Sequence, residues 1–230
     1  MLQYGQFCPV AKAMEILGER WTILIVRELL MGATRFSQLQ RGLCQISPSM
    51  LTKRLDELGR AGVLLRKRIP GQRGYEYHLS EMGRELMPVV LAIGNWGMVW
   101  ARGEMAESEL DVELLMLYLQ RSVDPDKLVG DESIVRFRFT DRKTLADWWL
   151  VVKDGEVELC NRDPGKEVDV YFTTDLRTMI ELWMGDVPYR TALADGRLTL
   201  VGPRALTRNV YHWLAPARFA DVPSAGSITV

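Results

Sequence analysis

The sequence predicts an α+β protein of two modules, residues 1–103 and 104–230. Three observations predict this. The chain has 230 residues, room for one large domain or two small ones. Its formal charge of −1 hides an asymmetry: residues 1–105 carry 14 Lys and Arg against 9 Asp and Glu, whereas residues 106–230 carry 15 against 21. A basic half joined to an acidic half suggests modules with different partners. The order of elements also changes, from helices followed by a hairpin in the first half to strands followed by helices in the second, which is the α+β pattern. Hydrophobic residues make up 47% and charged residues 26%, enough apolar side chain to offset the entropy of ordering a chain, so a mainly disordered protein is excluded.

Each element of the first half has a local cause. Residues 9–17 place Val10, Ala13, Met14 and Leu17 at helical spacing, and Gly18 stops the run. Residues 21–31 are apolar almost throughout, which predicts a helix buried on most sides. Gly32-Ala33-Thr34 breaks the pattern, and Thr34 is expected to cap a third helix reaching Gln40, with Phe36 and Leu39 inside. Ser47-Pro48 is the sharpest signal, a preferred capping residue followed by a proline whose fixed φ suits the first helical position. The helix it opens runs to about residue 60 on a seam of Leu51, Leu55 and Leu58, leaving Ser49, Thr52, Lys53, Asp56 and Glu57 outward. Two alternating segments, 63–69 and 75–79, flank Pro70-Gly71-Gln72-Arg73-Gly74 and read as a hairpin. A long apolar helix is expected from Ser80 to about residue 102.

Helices, a capped helix with short polar residues at its start, then a basic hairpin form the order of a winged helix-turn-helix. Its second helix would present its opening turn to base edges in a major groove. Between residues 47 and 73 there are seven Lys and Arg against two acids, a surplus suited to phosphates, although solvated basic faces are also common on helical proteins. The residues expected to bind double-stranded DNA are Arg35, Ser47, Ser49, Thr52, Lys53, Arg54, Arg68 and Arg73.

The segments Cys8-Pro9-Val10, Leu17-Gly18-Glu19-Arg20-Trp21-Thr22, Arg35-Phe36-Ser37-Gln38-Leu39, Met50-Leu51-Thr52-Lys53-Arg54-Leu55 and Tyr75-Glu76-Tyr77-His78-Leu79-Ser80 occur in register. They closely resemble the HxlR family of bacterial transcriptional regulators over residues 7–100. The resemblance implies a homodimer that reads an inverted repeat and pairs through its first helix and the long helix after the wing. Some members of that family sense electrophiles or oxidants through a cysteine before this proline. Cys8 is therefore the candidate redox residue, because a thiolate is stabilised at a helix N-terminus. Cys44 is expected to pack in the turn before the capped helix, and Cys160 to lie in the core.

In the second half, residues 110–119 read as a helix. Strands are expected at 134–139, 148–153, 157–159 and 168–173, with Asp154-Gly155 marking a hairpin. Helices follow at 176–184 and 189–194, then a strand at 197–201 and a helix at 203–214. No nucleophile elbow, zinc-protease motif or phosphate loop occurs, and the two histidines, His78 and His212, are far apart. No enzyme activity, cofactor or metal site is expected. The segment from Asp175 through Leu182-Trp183-Met184-Gly185 and Ala194-Asp195-Gly196-Arg197 to Val201-Gly202 resembles the sterol-carrier-protein family over residues 111–215. The resemblance implies a curved sheet and helices around an apolar tunnel. Patterning alone nominates Trp149, Met179, Trp183 and Trp213 as ligand-binding. The leading expectation is a DNA-binding regulator with an apolar small-molecule effector. The alternatives are a regulator switched at Cys8, or a lipid carrier with a vestigial winged helix. With neither a signal-peptide pattern nor a membrane-spanning run in the sequence, the cytoplasm is the expected location.

Overall fold

The computed structural model describes residues 3–101, 103, 105–128 and 130–223. The chain divides into two compact units, one up to Trp96 and one from Gly97 onward. In the first, α1 (Pro9–Leu17), α2 (Thr22–Leu30), α3 (Phe36–Gly42) and α4 (Pro48–Arg60) precede a hairpin of β1 (Leu64–Arg68) and β2 (Tyr75–Leu79). The buried core takes Ile25 and Val26 from α2, Leu39 from α3, Leu51, Leu55 and Leu58 from α4, and Leu64 and Leu79 from the base of the hairpin. The leucine seam of α4 is thus the surface that docks it, and its opposite face stays in solvent.

Two local expectations change. Arg35, not Thr34, stands at the N-cap of α3, because the Gln38 side chain accepts hydrogen bonds from the backbone N–H groups of both Thr34 and Arg35 at 2.9 Å. This frees the Thr34 carbonyl to accept from the Tyr77 N–H at 2.8 Å, and Arg35 bridges Glu76, so the start of α3 adds a third short edge to the wing. The long helix after the wing is also interrupted. It forms α5 (Glu81–Arg84), a break at Glu85 and Leu86, and α6 (Met87–Trp96). Pro88 has no N–H to give the Arg84 carbonyl, and its ring excludes a continuous helix there. Gly97–Ala101 then winds as a π-helix, and the expected end at residue 102 lies outside the described residues. Neither α1 nor α6 has a buried residue within this chain.

The second unit holds a five-stranded sheet in the order β5-β4-β3-β6-β7, made of β3 (Glu132–Phe139), β4 (Asp147–Lys153), β5 (Glu156–Cys160), β6 (Val170–Thr174) and β7 (Leu198–Val201). β3 and β6 run parallel and the other neighbours antiparallel. Asp154 and Gly155 both take positive φ at the β4–β5 turn, as a tight hairpin of this hand requires. One sheet face, with Val135, Phe137, Trp148, Leu150 and Phe172, packs into a core shared with α7 (Val112–Ser122), α8 (Leu176–Met184) and α9 (Tyr189–Ala194). The other face carries a small separate cluster of Ile134, Trp149 and Val151. The helix expected at 203–214 is only α10 (Arg204–Thr207) followed by a 3₁₀ turn, Val210–His212, which holds His212.

Candidate functional site

The opening of α4 is built by its cap. The Ser47 hydroxyl accepts a hydrogen bond from the Met50 N–H at 3.3 Å and lies 3.2 Å from the Ser49 hydroxyl. Thr52 donates to the Pro48 carbonyl at 2.9 Å. Ser47, Ser49, Thr52 and Lys53 are all exposed, while Leu51 and Leu55 between and below them are buried. The helix therefore offers short polar groups and a cation at its N-terminal end, where the helix dipole also favours an anion.

The wing supplies more positive charge. Arg66, Lys67, Arg68 and Arg73 are exposed. Arg35 is half-buried and its guanidinium lies 3.2 Å from the Glu76 carboxylate, which also meets the His78 ring at 3.2 Å. Arg35 thus ties the start of α3 to the wing.

Arg54 does not join this surface. Its side chain is 6% exposed, donates to the Arg20 carbonyl at 3.0 Å, and forms ion pairs with Glu19 at 2.6 Å and with Glu57. Position 54 falls on the seam side of α4, so its charge is spent inside the chain, fastening the α1–α2 turn to α4. The sequence pattern also passed over Arg66. Its guanidinium carbon lies 3.6 Å from the centroid of the Tyr75 ring, and its Nη1 is 3.7 Å from Asp56 of α4. The strand register, which sets Arg68 opposite Tyr75, is the signal that leads to this contact.

Cys8 is a free, half-buried thiol at the N-cap position of α1, where its side chain makes no capping bond. Cys44, expected to pack, is instead exposed in the turn between α3 and α4 and takes a φ of +35°. Cys160 packs against the Ile134–Trp149–Val151 cluster, and burial pushes its thiol above the ordinary value.

The four residues nominated for a ligand do not line one space. Met179 and Trp213 are buried in the main core, where the Trp213 indole donates to the Leu206 carbonyl at 3.0 Å. Trp183 is half-buried at the edge of that core, stacked on Tyr118 with centroids 5.0 Å apart and donating to the Ser122 hydroxyl at 2.9 Å. Trp149 points from the opposite sheet face, beneath the Arg136 guanidinium at 5.5 Å. Among the described residues no cluster of His, Cys, Asp or Glu could hold a metal ion, and no helix is long and apolar enough to cross a membrane.

Known proteins share the first unit. Residues 16–105 match the family described as HxlR-like helix-turn-helix. The HTH-type transcriptional regulator YvaP of Bacillus subtilis is 38% identical over 101 residues, which take in 94% of YvaP and 43% of this chain. The chain belongs to the HxlR-like transcriptional regulators. The regulator sll1512 of Synechocystis is 36% identical over 107 residues, covering 79% of that protein and 46% of this one. The solved structure of reduced YodB from B. subtilis is 32% identical, with a TM-score of 0.36, and spans 40% of this chain and 92% of its own. In this regulator a second family follows the first: residues 113–214 match the SCP-2 sterol transfer family. The protein is thus an α+β regulator that joins a DNA-binding helix-turn-helix to an SCP-2 domain.

Proposed function

We propose that the protein is a homodimeric, cytoplasmic regulator in which residues 1–103 bind double-stranded DNA and pair two copies, while residues 104–230 take up an apolar small molecule that changes DNA affinity. The observation that carries the reading is the opening of α4: an exposed polar turn held outward by a buried leucine seam, beside a basic wing. Ser49, Thr52 and Lys53 are suited to base edges, and Ser47, Arg35, Arg68 and Arg73 to the backbone. The SCP-2 match supports a lipid-like effector. For such a molecule to regulate, it must bind the DNA-competent and incompetent states with different affinity.

The test is binding of a random-sequence duplex by fluorescence anisotropy at several salt concentrations. Lys53→Ala with Arg68→Ala is expected to weaken binding about tenfold and to flatten the slope of log affinity against log salt by about one, for the phosphate contact of Arg68. Unchanged affinity and slope would leave this surface without its assigned role, and failure of the wild type to retain any duplex would favour the lipid-carrier alternative. A second reading rests on the free thiol of Cys8 at the start of α1. If Cys8 is the switch, Cys8→Ser abolishes release from DNA by an electrophile such as diamide; persistent release removes that reading.

A further inference from the structure

The two faces of the wing hairpin carry different chemistry. β1 and β2 pair Leu64 with Leu79, Arg66 with Tyr77 and Arg68 with Tyr75. Alternate residues share a face, so these six lie together. The face begins in the core at Leu64, Leu79 and Tyr77, which are buried, and ends in solvent at Arg66 and Arg68. Two guanidinium groups two residues apart on one exposed strand repel each other, and each carries a large rotamer entropy. Here one ring faces both. Arg66 lies over the face of Tyr75 at 3.6 Å, and Arg68 stands directly opposite Tyr75 in the strand register. The neighbouring Arg68 and Arg66 guanidinium groups hold the Tyr75 phenol below its ordinary pKa.

We propose that Tyr75 is a positioning residue for DNA binding: its ring seats Arg66 beside the cross-strand Arg68, so that the wing presents a preset phosphate-binding group. This rests on the DNA-binding reading given above. A cation over an aromatic face is attracted by the ring quadrupole. Stacking leaves the in-plane N–H donors of Arg66 available, and a phosphate takes such donors in charge-assisted bonds. A side chain already seated loses less freedom when DNA arrives, so more of the contact energy appears as affinity. The facing carboxylate of Asp56 is 3.7 Å from Arg66 with both groups about half exposed (45% and 46%), a solvent-screened contact that an incoming phosphate can replace.

The experiment compares Tyr75→Leu, Tyr75→Phe, Arg66→Ala and the Arg66→Ala/Tyr75→Leu double variant of the full chain on the same random-sequence duplex across a salt series, with thermal unfolding of each. Arg66→Ala and Tyr75→Leu are each expected to lower affinity about three- to tenfold and to reduce the salt slope by about one. The double variant should be little worse than either single one, since both remove the same unit. Tyr75→Phe keeps the ring face under Arg66, loses the hydroxyl and falls between. Should Tyr75→Leu unfold the wing, Tyr75→Phe and Arg66→Lys carry the test, each expected to bind about two- to threefold more weakly with wild-type stability. The proposal is overturned if Tyr75→Leu (or both conservative variants, in the second case) binds with wild-type affinity and slope while Lys53→Ala weakens binding. Full additivity in the double variant overturns it as well. A wild-type chain that does not bind the duplex, or an inert Lys53→Ala/Arg68→Ala variant, sinks the DNA-binding reading itself and is recognisable as such.

Discussion

At position 54 two roles compete for one guanidinium, and burial decides between them. Arg54 faces Glu19, Glu57 and the Arg20 carbonyl, partners that complete its hydrogen bonding inside the chain. Removing one member of a buried ionic group leaves the others without compensation. Glu19 and Glu57 are partly open to water and recover some hydration, so Arg54→Ala is expected to lower stability by about 2 kcal/mol, less than the loss of one partner from a fully buried pair. Chemical denaturation measures this. If Arg54 instead touched phosphate, the variant would keep its stability and lose salt dependence in DNA binding. The sequence could not separate these outcomes, because Lys53 and Arg54 are adjacent cations and the partner that claims Arg54 lies 34 and 35 residues away. At the two tryptophans the sequence did hold the answer: Trp148 and Trp149 are neighbours in one strand and must point to opposite faces, so they cannot both join Met179.

The elements that were legible are those whose ends are fixed by local chemistry. α4 begins at Pro48 because Ser47 caps it, and the wing turns where proline and glycine allow. The break in the helix after the wing is not legible because an apolar run hides what Pro88 does to the backbone, and the third edge of the wing is invisible because it joins Thr34 and Arg35 to residues some forty positions on. The cap of α4 also separates stability from recognition. Ser47→Ala removes an accepted backbone bond and is expected to cost about 1 kcal/mol. Ser47→Asp restores a good cap, and its charge suits the helix N-terminus, so stability should return to the wild-type level. The same charge stands where phosphate is expected, so DNA affinity should fall at least about tenfold. Unfolding curves and anisotropy on the same two variants test both halves. Wild-type DNA binding by Ser47→Asp would place the DNA elsewhere than at this end of α4.

For the whole molecule, the unburied helices set the strongest constraint. α1 and α6 are apolar yet contain no buried residue, and Phe7, Val10, Met14, Val89, Ile93 and Trp96 are exposed. Single exposed apolar residues are ordinary, but two helices of them exceed what a monomer normally leaves in water. A second copy of the same chain would cover both, and the two-fold pairing proposed above would present two α4 helices to the two halves of an inverted repeat. A stable interface of this kind buries about 1,200–2,000 Å² in total, in reach of two such helices from each protomer. Native mass spectrometry is then expected to give twice the 26.3 kDa of one chain. Ile93→Glu with Trp96→Glu places four carboxylates in the shared apolar seam, so the dimer should dissociate at micromolar concentration. The units need not unfold, because neither side chain contributes to a buried core. DNA affinity should fall more steeply on an inverted-repeat site obtained by selection than on random duplex, since only the former rewards two linked reading heads. A variant that stays dimeric would move the interface off α6. One that becomes monomeric yet reads the inverted repeat unchanged would separate pairing from recognition.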